Sequence, residues 1–135
     1  MTVLSGRCLC GAVAFSLDAA RLNHPSACHC GQCRRWSGHH WASVNVPADD
    51  FAFTKGEDNV TWFASSETAE RGFCSRCGAS LFWRKRRQEA GGEEISVALG
   101  ALDAPTGLTL AEHIFVADKG DYYDIAHGLP QKQKY

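Results

Sequence analysis

The sequence predicts a mostly β protein, and three observations predict it. Apolar residues alternate at period two in several short windows, thirteen glycines punctuate those windows, and no window sustains a long helical period. Taken in order, Val13, Phe15 and Leu17 alternate with smaller or polar neighbours and mark a half-buried strand. Trp41 to Val46, Phe51 to Thr54 and Val60 to Ala64 follow, rich in aromatic and β-branched side chains that suit a pleated surface. Ser80 to Arg84, the alternating Ile95, Val97 and Leu99, and Glu112 to Val116 complete the expected strands. The one helical expectation is a short turn over Gln32 to Trp36, bounded by Gly31 and Gly38.

The 135 residues fit a single domain spanning 1–135, since domains commonly run to roughly 100–200 residues. The composition is 44% hydrophobic and 21% charged, enough apolar content to build a core and too much for a disordered chain. A net charge of −1 supplies no field for a polyanion, so nucleic acid is not an expected partner. No apolar run approaches the roughly 18 residues of a membrane span, and the first residues, Met-Thr-Val-Leu-Ser-Gly-Arg-Cys, lack the pattern of a signal or transit peptide. A cytoplasmic protein without a membrane role is expected, as a monomer or homodimer. The run Arg84 to Arg87, with Glu89, Gly91, Gly92, Glu93 and Glu94 behind it, reads as an exposed hairpin loop.

Seven cysteines fall into three groups: Cys8 and Cys10; Cys28, Cys30 and Cys33; Cys74 and Cys77. In a reducing compartment such clusters bind metal or do chemistry more often than they form disulfides. Zinc accounts for the spacing best, because one tight turn can present two thiolates to one tetrahedral ion. Cys74-Ser75-Arg76-Cys77-Gly78 has that knuckle form, with Gly78 free to take the positive φ that turns backbone N–H groups toward sulfur. Cys8-Leu9-Cys10-Gly11, read as extended, would place both of its sulfurs on one side. Together the two pairs make a closed structural site that ties the chain's start to its middle.

Cys28, Cys30 and Cys33 then remain as three ligands with no fourth sulfur, the pattern of a catalytic zinc with an open position. His29 should point the opposite way, while His39, His40, His113 or His127 could close the site and make it structural. Three thiolates on a divalent ion leave a charge of −1 and weaken its power to acidify water. Because thiols on zinc stay deprotonated near neutral pH, addition or transfer of an external thiol is the expected chemistry.

The order Cys-x-Cys-Gly, then Cys-His-Cys-x-x-Cys with Arg34-Arg35, then Phe73-Cys74-Ser75-Arg76-Cys77-Gly78 and His113-Ile114-Phe115-Val116, resembles the glutathione-dependent formaldehyde-activating enzyme family, related to centromere protein V. The tail Asp121-Tyr122-Tyr123-Asp124-Ile125 with Leu129-Pro130 is similar to that family's closing pattern, and the resemblance runs from Gly6 to Pro130. It implies a zinc-containing β-tent of two antiparallel sheets. It also implies a carbon-sulfur lyase-type reaction that joins glutathione, or a similar thiol, to formaldehyde or another small aldehyde. By the same carry-over Cys8, Cys10, Cys74 and Cys77 hold a structural zinc, and Cys28, Cys30 and Cys33 hold a catalytic one.

Arg34, Arg35 and the basic loop are candidates for the carboxylates of glutathione, although an exposed, solvated role is the ordinary one for such residues. Trp36, Trp41, Trp62 and Trp83 could line a pocket, but aromatics at strand-like positions are more often core, and His113 beside Ile114 and Phe115 reads likewise as a hydrogen-bonded core histidine rather than a ligand or base. Two other classes stand beside the enzyme: a zinc-stabilised binding module without catalysis, and a redox or metal sensor whose cysteines oxidise reversibly.

Overall fold

The structure, a computed structural model, describes residues 2–86, 93–126 and 128–135. Ten strands are described: β1 (Val3–Arg7), β2 (Ala14–Asp18), β3 (Ser26–Cys28), β4 (Trp41–Pro47), β5 (Phe51–Lys55), β6 (Val60–Ala64), β7 (Ala69–Cys74), β8 (Ser80–Lys85), β9 (Glu94–Ala98) and β10 (Glu112–Ile114). One α-helix, α1 (Gly31–Ser37), and short 3-10 turns connect them. The mostly β expectation therefore holds, with the single helix where the glycine-bounded segment predicted it.

The strands form two sheets. The smaller has the order β1-β2-β5 and the larger β10-β3-β4-β9-β8-β7-β6. All pairings are antiparallel except that of β10, which lies parallel to β3 with His113 opposite Ala27. A parallel neighbour needs a long crossover, and β10 comes from far down the chain to reach β3. The chain after β10 covers that outer edge: the His113 N–H donates to the Pro130 carbonyl at 2.9 Å, and the Lys132 N–H to the His113 carbonyl at 2.8 Å.

The core lies between the sheets. Val13, Phe15 and Leu17 are buried from the small sheet, and Val44, Val46, Leu81, Phe82 and Val97 from the large one, in one continuous apolar cluster. The period of two read from the sequence is the burial pattern of β2, whereas β9 is buried continuously from Ile95 to Ala98 and the expected alternation stops short of Leu99, which opens a 3-10 turn. Phe15 meets Phe82 edge-on at 5.2 Å between ring centroids, and Phe51 and Phe53 pack on the same ring. Phe82 has no exposed surface, and burying a side chain of this type contributes roughly 1.5–3 kcal/mol.

Three strands were not predicted, for reasons visible in their residues. β1 carries a glycine and an arginine among two apolar residues, β3 is three residues long, and β7 runs through Glu70, Arg71 and Gly72. Tertiary pairing overrides weak local preference in each. Conversely, the run expected over Glu112 to Val116 stops at Ile114, because Phe115 takes φ 54° and the chain turns into a 3-10 segment, Val116–Asp118. The strands on either side of the predicted basic loop do pair antiparallel. Arg87 to Gly92 themselves lie outside the described residues.

Candidate metal centres

The ends of β1 and β7 carry the first cysteine group. Beyond Arg7 the chain turns at Leu9 and Cys10, and beyond β7 it turns through Ser75, Arg76 and Cys77. The sulfurs of Cys8, Cys10, Cys74 and Cys77 all lie within 4.8 Å of one another. Cys8 and Cys10 are 3.6 Å apart, and Cys10 and Cys74 are 3.8 Å apart. Four thiolates at about 2.3 Å from a tetrahedral ion sit about 3.8 Å from each other, whereas a disulfide would draw two of them to about 2.05 Å. The spacing is that of an ion's ligands.

Backbone donors complete the fit. The Val13 N–H donates to Cys8 Sγ at 3.3 Å, and the N–H groups of Arg76 and Cys77 to Cys74 Sγ at 3.4 and 3.5 Å. Gly78 takes φ +78°, as a knuckle requires, but its own N–H bonds the Cys74 carbonyl at 2.7 Å rather than a sulfur. The Cys8–Cys10 pair is likewise presented by a turn, closed by the Gly11 N–H on the Cys8 carbonyl, not by an extended segment. At Cys77 a further backbone donor, the Cys10 N–H, is the foremost cause that holds the thiol down to about 6.

The second group is built where β3 meets α1. Cys28 ends β3, Cys30 caps the helix by accepting the Cys33 N–H at 3.3 Å, and Cys33 is buried in the first turn. Their three sulfurs also lie within 4.8 Å of one another, and among the described residues no other His, Cys, Asp or Glu joins the group. Hydrogen bonds from Cys28 and Cys33, then the Cys33 N–H and the Arg71 charge, pull the Cys30 thiol far below its ordinary range. Cys28 is pushed far up by the same sharing.

Both groups offer donor sets consistent with zinc, and the seven thiols are free of disulfides. His29, His39, His40 and His113 are not among the ligand atoms of either group, and His127 lies outside the described residues.

His29 and His39 are engaged with other partners. His29, 1% exposed, follows Cys28 at the end of β3 and is not grouped with the trio's ligand atoms. Its Nδ1 bonds the Tyr123 hydroxyl and its Nε2 bonds His113 Nδ1 at 2.9 Å. Burial, and then the neighbouring His40 and His113, push its pKa down to about 4, so both ring nitrogens serve a neutral imidazole. His39 Nδ1 bonds the Tyr122 hydroxyl at 2.9 Å. The tail residues Tyr122 and Tyr123 thus close over this cluster, a partnership that sequence spacing could not indicate.

Arg71 is the other residue that sequence reasoning missed. It projects from β7 onto α1, 5% exposed, with Nη1 3.5 Å from Cys33 Sγ, Nη2 3.3 Å from Gln32 Oε1 and its guanidinium 5.1 Å from the Trp36 ring centroid. No strand was expected over Ala69–Cys74, so the sequence carried no signal that this charged residue is buried. Of the arginines proposed for carboxylates, Arg35 is exposed, whereas Arg34 has a buried Nε.

A cleft of about 800 Å³ opens beside the quartet, lined by Cys8 and by none of the trio's cysteines. Cys8, Leu9 and Gly78 line it on the quartet side, and Trp36, Ser37, His40 and Trp41 on the other. Trp36 and Trp41 therefore do more than fill the core: they wall the cleft and pack beside Cys33. Arg7 and Asp103 also line the cleft, and neither is ion-paired among the described residues. Trp83 packs against the same cluster without lining the cleft, and Trp62 stacks on Phe82 beneath the Arg84 guanidinium.

No helix among the described residues is long and apolar enough to cross a membrane. An uncharacterized lyase of Schizosaccharomyces pombe is 29% identical over 134 residues, covering 94% of this chain and 88% of its own. A crystal structure of a Rhodobacter sphaeroides protein is similar with a TM-score of 0.60 at 26% identity, covering 74% of this chain and 88% of that one. The profile of the family described as glutathione-dependent formaldehyde-activating enzyme matches residues 3–118, a span that includes both cysteine groups. The chain belongs to that family.

Proposed function

We propose that the protein is a carbon-sulfur lyase-type enzyme that joins glutathione, or a similar thiol, to formaldehyde or another small aldehyde. The observation that carries this reading is the cysteine trio, three convergent sulfurs that no fourth ligand residue closes among the described residues. Cys8, Cys10, Cys74 and Cys77 would hold a structural zinc and Cys28, Cys30 and Cys33 a second one. Zinc at the trio would offer a coordination position at which an incoming thiol is held deprotonated.

The chain's own residues have separate parts in the reaction. Cys28, Cys30 and Cys33 define the face at which the thiol arrives, and Arg71 and Trp36 hold the helix that carries Cys33. The cleft has room for the rest of the thiol, with Arg7 and Asp103 available to a peptide's carboxylate and ammonium groups. In the addition, the sulfur's electron pair forms the new carbon–sulfur bond and the carbonyl π pair passes to oxygen. That oxygen takes up a proton equivalent to the one the thiol lost, so the step is balanced without an oxidant or reductant. The protein's work is to bring the two reactants together in a fixed orientation.

The test is thiol-dependent aldehyde consumption, corrected for the rapid uncatalysed addition, by the unsubstituted protein and by Cys30→Ser. The variant should keep its fold and lose the catalysed rate. An unchanged rate in a folded Cys30→Ser protein rules the mechanism out.

A further inference from the structure

Arg71 is a buried cation without an anion of the usual kind. Among the described residues it has no carboxylate partner, since the ion pairs are formed by Arg21, His24, Arg84, Lys132 and Lys134. Burying an unpaired guanidinium is costly, and a cation is buried where something negative compensates it. The groups within its reach that can carry negative charge are the trio's sulfurs: Nη1 donates to Cys33 Sγ at 3.5 Å. Its remaining contacts, Gln32 Oε1 and the face of Trp36, are neutral and fix its orientation. Its Nε–H is buried and has no acceptor among the described residues, so the guanidinium keeps one donor to spare.

We propose that Arg71 is the positioning residue that selects an anionic sulfur as the trio's outside ligand. The inference rests on the trio being the thiol-binding site. Three thiolates and a divalent ion sum to −1, and a fourth thiolate would bring the group to −2, which a low-dielectric site opposes. The fixed positive charge of Arg71 reduces the magnitude of each of these negative totals by one unit. A neutral outside ligand gains little from that charge, whereas a thiolate gains directly. Arg71 therefore acts on which ligand is accepted rather than on holding the ion, and it does so through Cys33, which it touches.

The test uses the protein loaded with cobalt(II), which reports thiolate ligation by its charge-transfer absorption, titrated separately with glutathione and with imidazole. The closed quartet supplies a constant background. Arg71→Met should weaken glutathione binding by roughly 10- to 100-fold, the scale of one lost charged hydrogen bond, while imidazole binding shifts by less than about threefold. Arg71→Lys, which keeps the charge, should retain most of the preference for glutathione.

Equal weakening of both ligands in Arg71→Met, or no weakening of either, overturns the assignment. If Arg71→Met fails to fold or to load the trio, Arg71→Lys decides. A retained preference supports the assignment and a collapsed one overturns it. Absence of any glutathione-induced change in the unsubstituted protein would instead overturn the thiol site itself, and the role of Arg71 with it.

Discussion

Cys10 Sγ lies 3.8 Å from Cys74 Sγ, although 64 positions separate them in the chain. The contact fastens the end of β1, in the small sheet, to the end of β7, in the large one. Holding the two sheets together at that corner keeps the Phe15–Phe82 core closed and forms the quartet side of the cleft.

Substitution at this corner should therefore act on stability before chemistry. Cys74, fully buried, is the sensitive position. Cys74→Ser should lower metal content by one ion per chain and broaden or abolish cooperative thermal unfolding, because small structural zinc sites contribute on the order of 10–16 kcal/mol of apparent binding energy. Elemental analysis and calorimetry on the same preparation check it. A sharp, unshifted transition would mean that the quartet is dispensable.

The two groups should also release metal in a fixed order. A closed four-sulfur site competes with a chelator better than a three-sulfur site with an open face. Graded chelator should strip the trio first and change the fluorescence of Trp36 and Trp41, which pack beside Cys33. Loss of fold should follow only with the second ion. Reloading should release protons, since metal binding requires thiolates and the neighbouring sulfurs push the free Cys28 thiol far up.

Gly56 offers a test of the backbone frame. It has φ +69°, and a Cβ there would stand 1.7 Å from the Ala12 carbonyl oxygen, a contact no side-chain movement relieves. Ala12 sits between the first cysteine pair and β2. Gly56→Ala should destabilise the fold by about 2–4 kcal/mol, combining left-handed strain with a backbone clash. Chemical denaturation measures it. Gly38→Ala, with a similar φ but open space at its Cβ, should cost less.

Glu112 should give the protein a mild acid sensitivity. Its carboxylate lies 2.7 Å from His24 Nε2 and 3.2 Å from Lys132 Nζ, and these partners, His24 foremost, hold its pKa below the usual range. A carboxylate depressed in the folded state stabilises it above the unfolded pKa, near 4.3, and that contribution is lost as pH falls through the folded value. Glu112→Gln should therefore cost about 0.2–1 kcal/mol at neutral pH, with the difference from the unsubstituted protein vanishing at lower pH. Denaturation midpoints across that range decide it.

The sequence by itself determined what depends on neighbours along the chain. The period-two strands, the glycine-bounded helix and the knuckle around Cys74 and Cys77 all follow from local geometry. Tertiary structure decided what depends on residues meeting from a distance. Glu70-Arg71-Gly72 carries no strand signal until pairing with β6 and β8 makes it a strand, and only then does Arg71 reach Cys33. Tyr123 and His113 find His29 because β10 docks parallel to β3 and the tail folds back over it. A side chain's partners across the core carry no period in the sequence, so the clustering of the sulfurs could be anticipated and the charge set against them could not.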